Sequence, residues 1–363
     1  MHSFPNEPVL YMVVGLVVIV LAVLILPFRV RKVEENLEPF FLVMGVIAVT
    51  ISGLWNWELI KEALKAPVMI GTVPVGIFQV VLIFGLLVYF FNKPFCNGII
   101  SLANKLGPTA FIALLMLALG LISSIVSVIV TACVLAEVIA ALPFSRTDKI
   151  RIVVVTCFVI GLGAGLTPLG EPLSTILVQK LSGPPYNAGF LFPLQALGIY
   201  IIPGIIALSA FGALQIGRRI SISEEKVKPA YNETLRTVIM RAVKVYVFVA
   251  ALILLGEGLK PLIVWYFTKI PAWALYWINS LSAVLDNASL TAVEIGPTMA
   301  RPQIVSAVMA LLIAGGMLIP GNIPNILAAG RLRINMKEWA VIGVPIGLSL
   351  MLIYFVILIP LLF

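Results

Sequence analysis

The chain has 363 residues, of which 61% are hydrophobic and 11% charged, and its formal net charge is +8. Apolar runs long enough to cross about 30 Å of hydrocarbon recur along its whole length, which predicts a polytopic helical membrane protein and excludes a soluble domain. The positive charges lie near the ends of these runs and form no basic stripe, so nucleic-acid binding is not predicted. We expect a multi-pass protein of a cell (inner) membrane, embedded in the lipid bilayer.

Several classes of membrane enzyme are excluded by residues that the sequence lacks. Its one histidine is His2, which excludes an intramembrane serine protease with a histidine base, and no H-E-x-x-H metalloprotease motif occurs. Of its two aspartates, Asp148 lies in the polar segment SRTDKIR, so an intramembrane aspartyl protease would lack its second acid. The three cysteines are far apart and predict neither disulfides nor a zinc site. We expect a protein that is not an enzyme and needs no cofactor.

Ten apolar segments follow one another along the chain. They cover residues 9–28, 39–57, 69–91, 108–143, 151–181, 191–216, 243–267, 271–297, 302–330 and 339–363. The first has no small-residue cleavage site and precedes basic residues, so it predicts a retained helix and not a signal peptide. Segment 108–143 is too long for one helix and has a Ser-rich centre, and segment 271–297 carries SLSAVLDNASLTA. We interpret both as re-entrant hairpins with polar tips.

The placement of lysine and arginine predicts the orientation. Basic clusters occur at Arg29, Arg31 and Lys32, at Lys93, at Arg146, Lys149 and Arg151, from Arg218 to Arg241, and at Arg331, Arg333 and Lys337. All five clusters are cytoplasmic only if segment 108–143 enters and leaves from inside and segment 271–297 from outside. Lys61 and Lys65 do not fit, but two glutamates accompany them. Both termini are then predicted to be external.

This arrangement predicts two repeats of opposite orientation. Residues 69–216 would form a helix, an inside hairpin (108–143), a broken helix (151–181) and another helix. Residues 243–363 would repeat the series upside down, with a hairpin at 271–297 and a broken helix at 302–330. Residues 1–68 are predicted to form N-terminal scaffold helices, and the hydrophilic residues 217–242 a cytoplasmic linker. The predicted fold is an all-α polytopic membrane protein with two inverted-topology repeats.

The two predicted broken helices match in sequence, because LTPLGEP (166–172) aligns with LIPGNIP (318–324) and Glu171 thereby meets Asn322. Proline lacks an amide donor and clashes with the preceding turn, so each Pro–Gly pair should unwind its helix. The helix-breaking residues are Pro168, Gly170 and Pro172 in the first segment and Pro320, Gly321 and Pro324 in the second. Freed carbonyl oxygens suit cations, and paired interrupted helices in inverted halves mark the binding site of a transporter.

Two membrane-embedded acids indicate the sign of the predicted cargo. Glu171 lies in the first break, and a carboxylate at the centre of a membrane helix costs about 2.5–3.5 kcal/mol or more, so it usually marks an ion path. The alternative is a snorkelling or water-exposed glutamate near a helix end. Asp286 lies beside Asn287 at the predicted tip of the second hairpin. Its alternative role is to cap the second limb of that hairpin.

Three further glutamates lie in or near the apolar segments. Glu294, two turns along the second limb, is either a further proton site or a surface residue near the outside. Glu137, at the inner end of the first hairpin, is a possible proton-path residue that we interpret as structural. Glu257 precedes Lys260 by one turn, which predicts an ion pair.

Three of these stretches carry a family resemblance. TPLGEP, LDNASLTA and PGNIPNILAAG resemble the ion transporter superfamily and, within it, NhaD-type sodium/proton antiporters and a related group of cation transporters. The likeness covers about residues 69–363. It matches Asp286-Asn287 with the Asp-Asn of a Ser-rich hairpin tip, and Thr167 to Glu171 with a Thr-Pro-x-Gly-acid break. The chain is shorter than typical members, and both hairpins lack the Ser-Asn-Thr tips of the dicarboxylate branch. The family also implies a possible homodimer.

The predicted activity is exchange of a small, sodium-like cation for a proton. The predicted cation- and proton-binding residues are Asp286, Asn287, Ser282, Ser289, Thr167, Glu171, Asn322 and Asn325, with Asp286 and Glu171 as carboxylate ligands of the transported ion. Oxygen ligands suit a hard cation. Burial disfavours an ionised carboxylate, so a proton can replace the cation. The alternative is an anion (carboxylate or oxyanion) symporter or exporter of the same fold.

Overall fold

The computed structural model describes residue 5 and residues 7–34, 36–69, 77–217, 234–266, 271–285 and 287–362. Within these ranges the chain forms helices and connecting turns, with no strand. Five of the described helices are long and apolar enough to cross a membrane, over Leu10–Pro27, Asn97–Val126, Phe192–Gln215, Val238–Tyr266 and Met336–Leu358. The prediction of an all-helical fold is therefore confirmed for the described residues, and the five long apolar helices support the prediction of a membrane protein.

The helices follow the predicted apolar segments closely. In chain order they are α1 (Leu10–Arg29), α2 (Arg31–Glu34), α3 (Leu37–Ser52), α4 (Trp57–Lys65), α5 (Ile77–Phe90), α6 (Asn92–Val126), α7 (Val128–Ala141), α8 (Arg146–Ala164), α9 (Pro172–Lys180), α10 (Phe192–Gln215), α11 (Leu235–Tyr266), α12 (Ala272–Ile278), a 3-10 helix (Asn279–Ala283), α13 (Asn287–Glu294), α14 (Arg301–Ala314), a second 3-10 helix (Ile319–Gly321), α15 (Ile323–Leu332) and α16 (Met336–Leu362). Helix α6 begins earlier than predicted, because Asn92 to Leu106 form a helical arm that bends at Gly107, where φ is +73°.

One group of helices packs around α11, which lies along α3 and also contacts α4 and α5. Glycines allow this close crossing. A Cβ atom on Gly45 of α3 would lie 2.9 Å from Ala251 O, and one on Gly258 of α11 would lie 2.5 Å from Ala48 Cβ. Small residues at such crossings let two helix backbones approach, which is how helices associate where water supplies no hydrophobic drive.

The other group surrounds α8 and α14, whose residues are almost all buried. Helix α6 packs on α8, α10 packs on α8, and α16 packs on α14. The contact between α6 and α8 is the tightest, since a Cβ atom on Gly163 would lie 1.7 Å from Gly120 O. Ser123, which is fully buried, donates its hydroxyl to Gly120 O and Ile160 O and ties the same two helices together.

The two predicted hairpins differ in size. Helices α6 and α7 pack on each other and meet at Ser127, a non-glycine residue with a φ of +100°. The limb from 108 to 126 is about 28 Å long at about 1.5 Å per residue. In the second hairpin, α12 has 7 residues, the 3-10 helix that continues it has 5, and α13 has 8. Its limbs are therefore shorter than the hydrocarbon core of a bilayer, which is about 30 Å thick.

Candidate functional site

The first broken helix is interrupted between α8 and α9. Helix α8 ends at Ala164, and Glu171 is the N-cap of α9 with φ −153° and ψ 160°. Gly170 lies against the end of α8, because a Cβ atom there would be 2.1 Å from Ala164 O. Ser174, three residues after the cap, donates its hydroxyl to Gly165 O at 2.8 Å. This bond bridges the break and holds the two half-helices together.

The second broken helix has the same construction between α14 and α15. Asn322 is the N-cap of α15 with φ −153° and ψ 152°. A Cβ atom on Gly321 would lie 2.5 Å from Gly315 O. Asn325, again three residues after the cap, donates its amide to Gly315 O and Leu318 O, both at 2.8 Å. The two sequence-matched breaks therefore share a backbone shape and a side-chain bridge.

Both cap residues are buried. The exposed fraction is 3% for Glu171 and 5% for Asn322. The alternative of a snorkelling or water-exposed Glu171 is therefore wrong. The Asn322 Oδ1 atom accepts a hydrogen bond from Ile323 N at 2.8 Å. Its Nδ2 atom faces the first broken helix, since a Cβ atom on Gly161 of α8 would lie 3.1 Å from it.

Several backbone carbonyls freed by the breaks already have donors. Gly165 O, Gly315 O and Leu318 O accept the bridging bonds from Ser174 and Asn325. Unwinding therefore leaves fewer bare oxygens for a cation than the Pro–Gly pattern predicts. Both hydrogens of the Asn325 amide hold the break together, and among the described residues its Oδ1 atom has no hydrogen-bond partner.

Each hairpin contacts the break of its own half. The Thr167 hydroxyl donates to Ser124 O and accepts from Leu169 N, while Val128 N donates to Gly170 O at 2.8 Å. In the second half, a Cβ atom on Gly321 would lie 2.8 Å from Ser282 O and 2.9 Å from Ala283 O. The structure thus brings the first break, through Thr167, into contact with the first hairpin, and the second break into contact with Ser282 of the second hairpin.

Three predicted site residues belong to the tip of the second hairpin. Asn287 is 3% exposed, and within the described residues its Nδ2 atom has no partner. Asp286 lies outside the described residues, as does the side chain of Ser289. These assignments stay predictions.

A buried acid–amide pair links the limbs of the second hairpin. Asn279 Nδ2 donates to Glu294 Oε2 at 3.0 Å and to Ala307 O of α14 at 3.4 Å. Asn279 is fully buried and Glu294 is 9% exposed, so the alternative of a surface Glu294 is wrong. Asn279 was not predicted as a site residue. The one signal for it was an amide in the otherwise apolar run that leads to the hairpin tip.

The other predicted acids are ion-paired. Glu137 binds Arg331 through two hydrogen bonds, 2.8 and 2.9 Å long, and ties α7 to α15. The pair is almost fully buried, with exposed side-chain fractions of 5% for Glu137 and 11% for Arg331. The predicted pair of Glu257 and Lys260 is confirmed, at 2.9 Å. Nearby, Arg146 binds Glu338 at 2.8 Å and donates to Arg333 O, so two of the predicted cytoplasmic clusters lie together.

The half-helices that follow the two breaks, α9 and α15, each pack on the hairpin of the opposite half of the chain. Helix α9, which follows the first break, packs on α13 of the second hairpin, while α15, which follows the second break, packs on α7 of the first. Within the described ranges there is no cluster of three or more His, Cys, Asp or Glu side chains. A cation at these described residues would therefore need hydroxyl, amide or carbonyl oxygens among its ligands.

Comparison with known proteins gives one match. The family model described as "Protein of unknown function (DUF1646)" matches residues 13–361, nearly the whole chain. No curated protein matches the sequence.

Proposed function

The chain belongs to this family, and we propose that it is a secondary active transporter that exchanges a small, sodium-like cation for a proton. The observation that carries the proposal is Glu171, which is 3% exposed and is the N-cap residue of a half-helix in the interior of an apolar helical protein. Acids in such positions are rare and face ion paths. The resemblance to NhaD-type antiporters points to the same class of cargo.

The transporter is built from two inverted repeats with re-entrant hairpins. Four observations support this architecture. The caps Glu171 and Asn322 have matching backbone angles, and bridging bonds follow each cap by three residues. Each hairpin contacts the break of its own half, and α9 and α15 pack on the hairpin of the opposite half. Such an exchange of partners is what a two-fold axis in the membrane plane produces.

The cation binds where the two breaks and the hairpin ends meet. Glu171 supplies charge, and the Asn322 Oδ1 and Ser282 carbonyl oxygens supply neutral ligands of the kind that hard cations prefer. Asp286 completes this site as its second carboxylate. A proton displaces the cation from Glu171, because a buried carboxylate without its cation is costly. The unit formed by α6–α10 and α12–α16 then moves against α1, α3, α5 and α11 to expose the site alternately.

An anion symporter is the second candidate, favoured by one observation. The half-helices α9 and α15 both begin at the breaks, and a helix N-terminus attracts negative charge. The carboxyl group of Glu171 occupies the first of these N-termini. An anion could bind there only beside that acid, which makes the cation the better-supported cargo.

Reconstituted vesicles test the proposal. Sodium, lithium or potassium is added on one side and the proton movement is measured across pH, followed by citrate and inorganic anions in the same vesicles. We expect proton movement driven by at least one cation. Anion uptake without cation-driven proton movement would establish the symporter instead.

Asp286→Asn tests the part of the site that the sequence alone predicts. The substitution keeps volume and capping ability but removes charge and titration. We expect the variant to fold and to lose coupled exchange, whereas Glu257→Gln, which removes a carboxylate from a half-exposed ion pair, should exchange normally. Wild-type exchange by Asp286→Asn would contradict the assignment.

Membrane topology is tested by single cysteines. Arg146→Cys and Arg301→Cys should react with an impermeant thiol reagent from the inside and the outside, respectively. Reaction of both from one face would rule out the inverted repeat.

A further inference from the structure

The pair of Asn279 and Glu294 has an unusual hydrogen-bond pattern. One bond joins Asn279 Nδ2 to Glu294 Oε2 at 3.0 Å. The amide oxygen Asn279 Oδ1 and the other carboxyl oxygen, Glu294 Oε1, are buried and have no hydrogen-bond partner among the described residues. Both of these atoms are acceptors when Glu294 is ionised, so neither can satisfy the other.

One proton on Glu294 would give both of these oxygens a hydrogen bond. A carboxylic acid and a primary amide can form a closed ring in which the amide N–H donates to one carboxyl oxygen and the carboxyl O–H donates to the amide oxygen. The first bond of that ring is already present between Asn279 and Glu294. We propose that Glu294 carries a proton on Oε1 and donates it to Asn279 Oδ1, so that the hairpin holds a proton site separate from the two breaks.

Among the described residues, no cationic side chain forms a hydrogen bond with the carboxyl group of Glu294. Helix α13 packs on α9, α11 and α14. The ionisable residues of these helices and their caps are Glu171, Lys180, Arg236, Arg241, Lys244, Tyr246, Glu257, Lys260, Tyr266 and Arg301. Lys244 and Lys260 are paired with Glu38 and Glu257, and Arg301 donates to Gln195 O. Within the described residues, Asn279 is the one hydrogen-bond partner of the Glu294 carboxyl group.

The position of the pair relates it to the breaks. Ser282, one turn after Asn279, donates to Leu311 O at 3.4 Å, just as Asn279 donates to Ala307 O one turn earlier in α14. The carbonyl of Ser282 then lies beside Gly321 in the second break. A short ladder along α14 therefore connects the proton site with the break. Proton loss at Glu294 opens the ring that joins the two limbs, which loosens the hairpin that contacts the break.

This site deepens the proposed exchange, and its role in transport rests on that proposed function. The protonation of Glu294 itself does not depend on the proposed transport function. Glu294 would hold a second proton, in addition to the one that competes with the cation at Glu171, and the hairpin would couple the two sites so that exchange of cation for proton at Glu171 requires a titrating Glu294.

Labelling of the wild-type protein tests the proton site without transport. An apolar carbodiimide, which reacts with protonated carboxyl groups, is applied across pH with and without sodium, and adducts are located by peptide mass spectrometry. We expect an adduct at Glu294 that declines at high pH and is unaffected by sodium. The adduct at Glu171 should be suppressed by sodium, and ion-paired Glu137 and Glu257 should serve as weakly labelled controls.

Infrared difference spectra of wild type and Glu294→Gln remove the question of reagent access, because the protonated carboxyl band is observed directly. Loss of that band in the variant supports the proposal. Lack of both the band and the adduct overturns it, as does suppression of the Glu294 adduct by sodium to the same degree as at Glu171.

Transport by Glu294→Gln supplies the second arm. Glutamine keeps both ring bonds without a titrating proton, so the variant should remain folded and exchange radiolabelled sodium for sodium while losing cation-driven proton movement. Retained proton coupling would overturn the role of Glu294 in exchange. A protein that moves no cation but shows the labelling pattern would refute the transport function and leave the proton site standing.

Discussion

The two breaks share their backbone and differ in their side chains. Glu171 and Asn322 have nearly the same φ and ψ, and each follows a glycine that is pressed against the end of the preceding helix. One cap is an acid and the other an amide. Shape and charge therefore depend on different residues of the same motif. Glycine and the bridging bond set the shape of each break, and the cap residue sets its charge.

The hairpins differ more than the breaks do. The first has a limb of about 28 Å, by about 1.5 Å per residue over 108–126, and it contains hydroxyl groups but no amide or acid near its end. The second has one limb made of α12 (7 residues) and the following 3-10 helix (5 residues), which begins at Asn279, and another made of α13 (8 residues), which ends at Glu294. Titratable chemistry is therefore concentrated in the first break and the second hairpin, on opposite halves of the chain.

The largest effect is expected from substitution of the two glycines that set the shared backbone shape of the breaks. Gly170→Ala and Gly321→Ala place a methyl group 2.1 Å from Ala164 O and 2.5 Å from Gly315 O, respectively. Both should lose folded protein, measured as monodisperse yield and melting temperature in detergent. Gly330→Ala is the control, because no atom lies within 4 Å of its added Cβ. Normal melting of either break variant would show that the glycine is not needed for the shape.

The difference in charge is removed by Glu171→Gln, which gives both breaks an amide. Loss of a charged hydrogen-bonding partner costs about 1.5–3 kcal/mol, so cation affinity should fall by about ten-fold or more. Glu257→Gln is the matched control, because it makes the same chemical change to a carboxylate that lies outside both breaks, in the ion pair with Lys260. Cation-driven proton flux measured against cation concentration gives the affinity. Unchanged affinity in Glu171→Gln would remove this residue from the site.

The bridging bonds predict an unequal effect on stability. Asn325→Ala removes the bonds to Gly315 O and Leu318 O, of which Leu318 O keeps the 3.3 Å bond from Gly321 N, whereas Ser174→Ala removes the one bond to Gly165 O. A buried carbonyl left unsatisfied costs about 1–3 kcal/mol and a further lost hydrogen bond about 0.5–1.5 kcal/mol, so Asn325→Ala should lower the melting temperature more than Ser174→Ala. The exposed Ser182→Ala serves as the reference. Equal shifts for the two bridge variants would mean that water or neighbouring groups replace the lost donors.

The smallest effect on stability and affinity is expected at Gly161, where α8 faces Asn322, the N-cap residue of α15. A Cβ atom on Gly161 would lie 3.1 Å from Asn322 Nδ2, a contact that a shift of a few tenths of an ångström relieves. Gly161→Ala also favours the helix by about 0.5–1 kcal/mol, so stability should hold or rise slightly. We expect a modest loss of cation affinity, read from the same flux titration. A change in stability without a change in affinity would separate Asn322 from the cation site.

Local patterns in the sequence predicted local structure well. The Pro–Gly breaks and the pair of Glu257 and Lys260 depend on residues a few positions apart, and both are present. The bond from Arg331 to Glu137 joins residues 194 positions apart, and no periodicity reports such a contact. The role of Asn325 was hidden for another reason. An amide offers both donors and an acceptor, and only the fold decides that its donors bridge the break.

The buried pair of Glu137 and Arg331 has an electrical consequence. A unit charge that crosses the membrane potential changes its energy by about 2.3 kcal/mol per 100 mV, but a neutral pair crosses without such a change. Because Glu137 and Arg331 are joined by two hydrogen bonds, any motion of α7 and α15 carries both charges together. That motion is electrically silent. Voltage would act instead on the bound ion and on carboxyl groups such as Glu171 and Glu294.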